Sequence, residues 1–336
     1  MSERILVVAD DDDGQRLDRW IKRHVPDLPY VLAQKLLRKG AIKVDGKKAK
    51  TDQRLSGGQS VRIPPFETAG PQKEKRARPL SDKDAAYIRS LVIFDDGDVI
   101  AINKPGDLAV QGGTGTERHV DGMLDALVNE AGVRPRLVHR LDKDTSGVLL
   151  LARSAACAKA LGAAFKGRDI KKIYWALIAP VPDIHDGTIR APLAKSTGNY
   201  EKMQVDEEEG KPAVTEYKII ENAGNKAAFA AFWPRTGRTH QIRIHAALLG
   251  SPVVGDGKYA LKDEDGNRLD AALTQGMEGV SKALHLHAAR IVLDHPLRKG
   301  VTLDISAPLP PALARSWKAL GFSTNLKTDP FDELKR

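Results

Sequence analysis

The segment His139-Arg140-Leu141-Asp142-Lys143-Asp144-Thr145-Ser146-Gly147 gathers a histidine, two carboxylates, two hydroxyls and a glycine in nine residues. Strand-like apolar residues flank it, so it must form a loop. A carboxylate held there can act as a nucleophile or as a general base. Asp142 is the candidate, with Asp144 the competing acid two residues on. The plain alternative is a hydrogen-bonded Asp-x-x-Thr-Ser-Gly turn. A second segment, Lys171 to Leu177, reads as a strand that puts Lys172, Tyr174 and Ala176 on one face. A strand tyrosine taken alone is usually core. A third, Arg235 to His245, predicts a helix from Thr239 to Leu249, stopped by Gly250. Ile242, Ala246 and Leu249 form its buried stripe, and Arg243 lies beside them, placed to enter a cleft. Taken alone, Arg243 would be an ordinary half-buried ion-pair partner.

Other signals are weaker. His285 and His287 share a strand face, and His-x-His is a known metal pair. No third ligand is near in sequence, so histidines that pack in the core or contact the substrate are favoured and no metal is expected. His240 and His245, five apart, do not align on a helix face. Gly112-Gly113-Thr114-Gly115 lacks a following Gly-Lys-Ser/Thr and reads as a turn or substrate loop.

Many elements must position these groups. Apolar runs at 91–94, 99–102, 147–153, 172–179, 214–220, 227–233, 284–293 and 301–305 read as strands. Asp95-Asp96-Gly97-Asp98 is a turn signal, and Ser154 caps a helix reaching about Lys166. Strands of differing length with few helices predict an α+β domain on a long, mainly antiparallel mixed sheet.

The first eighty residues differ. They hold 18 Lys+Arg against 11 Asp+Glu, or +7, while the rest holds 35 against 33, or +2. Leu17, Trp20, Ile21 and Val25 repeat at helical spacing, with Arg16, Arg19 and Arg23 as an outer stripe. A second helix after Pro29 buries Leu32, Leu36 and Leu37, carries Lys35, Arg38 and Lys39 near its end, and stops at Gly40. Ile42, Lys43 and Val44 then lead through Asp45-Gly46 to Lys47, and a strand follows at 61–63. The expected organisation is a basic α/β module over 1–66, a Pro-containing basic linker over 67–84, a catalytic domain over 85–322 and a tail over 323–336. No apolar run approaches the roughly 18 residues of a membrane span. The acidic start lacks a secretory h-region. The one cysteine, Cys157, leaves no internal disulfide. Together these predict a cytoplasmic protein.

The Arg-Leu-Asp-Arg-Trp-Ile start at residue 16 and the Leu-Leu-Arg-Lys-Gly-Ala-Ile-Lys-Val-Asp-Gly-Lys centre at residue 36 resemble the alpha-L RNA-binding domain. If that domain binds RNA, shape and phosphates are its targets rather than base sequence. The string H-R-L-D-x-x-T-S-G at 139–147 resembles the signature of the pseudouridine synthases that include RluA, RluC and RluD. K-x-Y-x-A-L at 172–177 and T-G-R-T-H-Q-I-R-I-H at 236–245 resemble that family's second and third motifs. The likeness covers about residues 16–310. N-K-P-G-D-L-A-V-Q-G-G-T-G at 103–115 leans towards the RluC type, with Gln111 where His is usual. Ala179-Pro180 stands where a glycine is usual after the second motif.

This resemblance implies an isomerase that converts uridine to pseudouridine, most of all in large-subunit ribosomal RNA. Asp142 would be the catalytic carboxylate and Tyr174 the ring against the target base. Arg243 would pair with Asp142 and hold it as the carboxylate. Arg140 would fill the gap in the RNA or hold phosphate, and Arg238 would contact RNA. The family pattern leaves position 144 variable, so Asp144 reads as supporting. Breaking the base–ribose nitrogen bond and rejoining through carbon exchanges no electrons, so no cofactor is expected. RNA is the expected partner, with no membrane or obligate protein partner. A glycoside hydrolase fits badly, because two carboxylates on one tight loop do not flank a sugar. A non-catalytic RNA-binding or ribosome-assembly protein would explain the basic module but not three intact motifs. A synthase acting on transfer RNA is the other alternative.

Overall fold

The structure, a computed structural model, describes residues 3–66, 80–113, 116–167, 170–196, 202–326 and 328–334. The expected linker falls largely outside the described residues, as do Thr114 and Gly115 of the glycine-rich loop. The chain divides into two units, Met1–Pro79 and Leu80–Arg336.

The first unit runs β1 (Arg4–Val7), α1 (Leu17–His24), α2 (Tyr30–Arg38), β2 (Lys43–Val44), β3 (Lys47–Lys48) and β4 (Ser60–Ile63). Both helices and the basic hairpin match the sequence pattern. The edge strand β1, which pairs with β4 in the order β1-β4-β2-β3, carries no signal strong enough to have been predicted. Leu17, Trp20, Ile21 and Val25 are all buried, as their spacing requires.

The second unit starts with α3 (Asp82–Ser90), β5 (Val92–Asp95), β6 (Val99–Lys104), α4 (Val120–Met123), β7 (Arg136–Leu137) and β8 (Ser146–Ala152). Next come α5 (Ala155–Lys166), β9 (Lys171–Ile178), β10 (Asp186–Arg190), β11 (Leu193–Lys195), β12 (Met203–Val205), β13 (Val214–Ala223) and β14 (Ala227–Pro234). It ends with α6 (Gln241–Leu248), α7 (Ala271–Thr274), β15 (Leu286–Asp294), β16 (Thr302–Ser306) and α8 (Pro311–Ala319). Helix α3 begins inside the stretch expected as linker, because Ser81 accepts the Asp84 N–H and caps it. The main sheet runs β10-β13-β14-β9-β15-β8-β6-β5, with β16 also on β15 and β7 also on β8. Its pairings are antiparallel except β8 with β15.

Strand alternation sorts β9 between two layers. Ile173, Trp175 and Leu177 face a core shared with Trp317 of α8, while Ala176 and Ile178 face one shared with Ile242 and Ala246 of α6. The segment after Gly321 packs onto the first of these layers. Phe322 and Phe331 are buried there, Phe331 lies against Trp233, and the Lys171 ammonium meets Asp329 at 2.6 Å.

The parallel contact explains the last residue of the 139–147 segment. Gly147 sits at φ +114°, and a Cβ there would lie 2.2 Å from the carbonyl oxygen of Ala288 on β15. Gly147→Ala therefore pays both backbone strain and steric overlap, about 1–3 kcal/mol each. Chemical denaturation should show a loss of at least about 2 kcal/mol; a loss near zero would mean that the two strands part easily.

Candidate active site

The strand order β14-β9-β15-β8 brings the three sequence segments together. Asp142 lies on the loop that enters β8, Tyr174 lies on β9, and the loop between β14 and α6 supplies residues 235–240. In register, Tyr174 faces both Phe232 of β14 and Ala288 of β15. Between them is a cavity of about 360 Å³. Asp142, Lys172, Tyr174, His240, Arg243 and Leu286 are on its wall, and the exposed Arg140 and Arg238 also border it.

Two buried anchors hold the Asp142 loop. Ser146 Oγ lies 2.9 Å from His287 Nδ1, tying the loop to β15. The Lys104 ammonium, fully buried, donates to the carbonyls of Pro105, Leu108 and Lys143 at 2.8–2.9 Å. The Lys143 carbonyl belongs to the residue after Asp142, so Lys104 fixes the Asp142 loop from beneath. Burial lowers the Lys104 pKa to about 8, against the opposing pull of Asp144, Asp107 and Asp142. The folded state thus sheds this proton near pH 8, whereas a lysine in the unfolded chain keeps it to about 10.4. Between those values the unfolded state binds more protons, so stability linked to Lys104 rises with pH. The unfolding free energy of wild type minus that of Lys104→Met should grow from pH 8 to pH 10. A flat difference would show that the ammonium is not desolvated.

Arg243 has a different partner from the expected one. Its Nε and a terminal nitrogen donate to the two oxygens of Asp256 at 2.7 and 2.6 Å, and both side chains are buried. Asp256 Oδ1 also accepts the backbone N–H groups of Lys258 and Tyr259. Burial works against both charges, but each holds the other ionised: the Asp256 pKa is lowered and that of Arg243 raised. Asp142 adds to the Arg243 shift, so the guanidinium charge reaches that carboxylate without a direct ion pair. Where an Arg243–Asp142 pair was expected, the structure has an Arg243–Asp256 pair on the wall of the same cavity.

His240 Nε2 lies 3.9 Å from Asp142 Oδ2. His240 precedes α6 in a left-handed conformation, φ 55°, which is strained for a residue with a Cβ. Its Nδ1 lies 2.7 Å from the Tyr259 hydroxyl, which accepts the Met203 N–H. When Tyr259 donates its O–H to Nδ1, the proton of a neutral His240 sits on Nε2, facing Asp142. Burial lowers the His240 pKa, with Asp142 opposing.

Tyr174 is half-buried, and burial followed by the Asp142 charge raises its pKa, so it stays a neutral ring. His139 stacks on Phe165 with ring centres 4.2 Å apart. Its Nε2 accepts the Leu150 N–H at 2.8 Å. Burial, then the charge of Lys172, lowers its pKa to about 3, so His139 is a neutral wall of the cavity.

Asp256, Tyr259 and Lys104 escaped the sequence reading, as did His240 as a neighbour of Asp142. The acid between two glycines in Gly255-Asp256-Gly257 was the available signal. His285 and His287 are core histidines: every ring nitrogen has a hydrogen-bond partner, and burial lowers both pKa values to about 4. In the first unit Arg19, Lys35, Arg38, Lys39 and Lys47 are exposed. Lys43 is half-buried, and two of the expected outer arginines are engaged: Arg16 pairs with Asp18 and Arg23 with Asp12, each at 2.9 Å. Among the described residues no helix is long and apolar enough to cross a membrane.

Known proteins carry the same arrangement of parts. The family model described as RNA pseudouridylate synthase matches residues 98–248, and the S4 domain model matches residues 15–61. "Ribosomal large subunit pseudouridine synthase C" of Salmonella typhimurium is 35% identical over 323 residues, covering 95% of this chain and 97% of that protein. The protein of the same name from Haemophilus influenzae is 35% identical over 311 residues, covering 92% of each. The solved structure titled "Human RNA Pseudouridylate Synthase Domain Containing 4" superposes with a TM-score of 0.58 at 26% identity, covering 71% of this chain and 97% of that one. With its signature loop, its S4 unit and relatives that match end to end, this chain belongs to the RNA pseudouridine synthase family.

Proposed function

We propose that this enzyme isomerises specific uridines of large-subunit ribosomal RNA, with Asp142 as its essential carboxylate and the target base flipped out against Tyr174. The observation that carries the reading is the joint placement of Asp142, Tyr174 and Arg243 on one cavity wall. The reaction breaks the bond between C1′ of the ribose and N1 of the base, turns the uracil, and joins C1′ to C5. The C5 proton leaves and N1 gains one. A carboxylate serves either opening step, attack on C1′ or removal of a ribose proton. The base must leave its stack to reach the cavity, at about a few kcal/mol, and a neutral aromatic ring offers it a new stacking face. Arg140 and Arg238 at the rim meet phosphates or the vacated gap. The exposed Arg19, Lys35, Arg38, Lys39 and Lys47, with Arg16, Arg23 and Lys43, give the S4 unit its RNA-binding surface. The large-subunit assignment is supported by the names of the relatives, and a cytoplasmic enzyme is the reading consistent with work on ribosomal RNA.

The test maps pseudouridine in total RNA from cells lacking the gene, complemented with wild type or Asp142→Ala. Specific large-subunit sites should vanish and return only with wild type. Loss in transfer RNA instead would overturn the substrate, and full restoration by Asp142→Ala would overturn the catalytic assignment.

A further inference from the structure

Among the described residues, Lys172 is a cation without a partner in the cavity. It lines the same wall as Tyr174, two residues along one face of β9, roughly 6–7 Å apart. Its strand neighbour Lys171 is fully engaged by Asp329 and the Phe331 carbonyl. Among the described residues, no carboxylate lies within ion-pairing distance of the Lys172 ammonium and no acceptor within hydrogen-bonding distance. The neutral His139 ring, Phe165, Tyr174 and Leu286 share its cavity, and the Lys172 charge is felt at His139. Burial lowers its pKa with no resolved compensation from an anion. The exposed Arg140 and Arg238 lie at the rim, where the ribose-phosphate chain must pass. Lys172 lies deeper, beside the ring that receives the base.

The reaction generates the anion that this cation lacks. When the C1′–N1 bond breaks, its electron pair stays with the base, and the detached uracil carries a negative charge spread over N1, O2 and O4. The charge is absent in bound uridine, and it is consumed when C5 rejoins C1′, the C5 proton departs and N1 is protonated. A group that binds this charge therefore stabilises the transition state more than the ground state. We propose that Lys172 is a catalytic residue whose ammonium hydrogen-bonds a carbonyl oxygen of the uracil as it leaves. This rests on the proposed seating of the base against Tyr174.

The experiment compares wild type, Lys172→Met and Asp142→Asn in single turnover at saturating enzyme, on ribosomal RNA from the deletion strain and on the same RNA transcribed with 5-fluorouridine. Fluorine makes the uracil a better leaving group. It also blocks the final proton loss, so the rate is read as disappearance of the target nucleoside. On uridine RNA, Lys172→Met should be slower by about 10²-fold, with RNA affinity within about twofold. On 5-fluorouridine RNA that deficit should shrink by about tenfold, because less charge needs help. The ratio between the two RNAs does not depend on the folded fraction, so a destabilised variant still reports. An equal deficit on both RNAs, or a loss confined to affinity, overturns the role of Lys172. If Asp142→Asn also turns over normally, the seating of the base itself is wrong; if Asp142→Asn is dead while Lys172→Met matches wild type, only the role of Lys172 falls.

Discussion

Asp142→Asn should leave the fold intact and slow turnover by about 10²–10⁴-fold, the range expected when a positioned acid–base group is lost. The amide has nearly the shape of the carboxylate but neither attacks carbon nor removes a proton. The backbone carbonyl of Asp142, which accepts the Thr145 N–H at 3.2 Å, is untouched. Lys104 and His287 still hold the loop from either side. Thermal unfolding and RNA affinity should therefore match wild type. Asp144 gives the internal control. It is exposed on the same loop, so Asp144→Asn should stay within about 0.5 kcal/mol, a factor of about two in rate. Single-turnover pseudouridine formation reads both. Near wild-type activity in Asp142→Asn, or collapse in Asp144→Asn, would reverse the two assignments.

Asp256→Ala attacks stability instead. Removing that carboxylate leaves the Arg243 guanidinium buried without its counter-ion and strands the N–H groups of Lys258 and Tyr259. Breaking a buried pair from one side costs about 3–5 kcal/mol. In a domain of this size that lowers the midpoint of thermal unfolding by on the order of 10 °C. The double variant Arg243→Met with Asp256→Ala should recover much of the loss, because no buried charge then remains uncompensated. Activity should not return with it, since the Arg243 guanidinium on the cavity wall has gone. A single-variant loss below about 1 kcal/mol would mean that water reaches the pair.

The contrast between these sites tracks what a linear chain can reveal. Asp142, Tyr174 and Arg243 became candidates because each lies in a run that resembles a motif of the family; taken alone, Tyr174 read as core and Arg243 as an ordinary ion-pair partner. The strand and helix positions of β8, α5, β9, β14 and α6 followed from local patterns, with ends displaced by a residue or two. The two basic helices of the first unit were equally plain, since the stripe Leu17, Trp20, Ile21 and Val25 has one burial solution.

Other features were fixed only when distant segments met. Asp256 follows Arg243 by 13 residues, and nothing in either segment says that their side chains share a buried pocket. Serine 146 meets His287 across 141 residues, and Gly147 must be glycine because β15 passes within van der Waals contact of it. No element was expected at helix α8 or in the segment ending in Phe331, and their burial depends on a sheet face assembled from β9, β13, β14 and β15. His240 was weighed only with His245, five residues on, as a pair that helical spacing does not align, whereas it stands before α6 at a left-handed φ with its ring 3.9 Å from Asp142. Local pattern determined the elements, and the resemblance of three short motifs supplied the catalytic candidates and the family. Tertiary structure decided the charge partners, because an ion pair depends on distance in space and low local dielectric, and neither is encoded in sequence spacing.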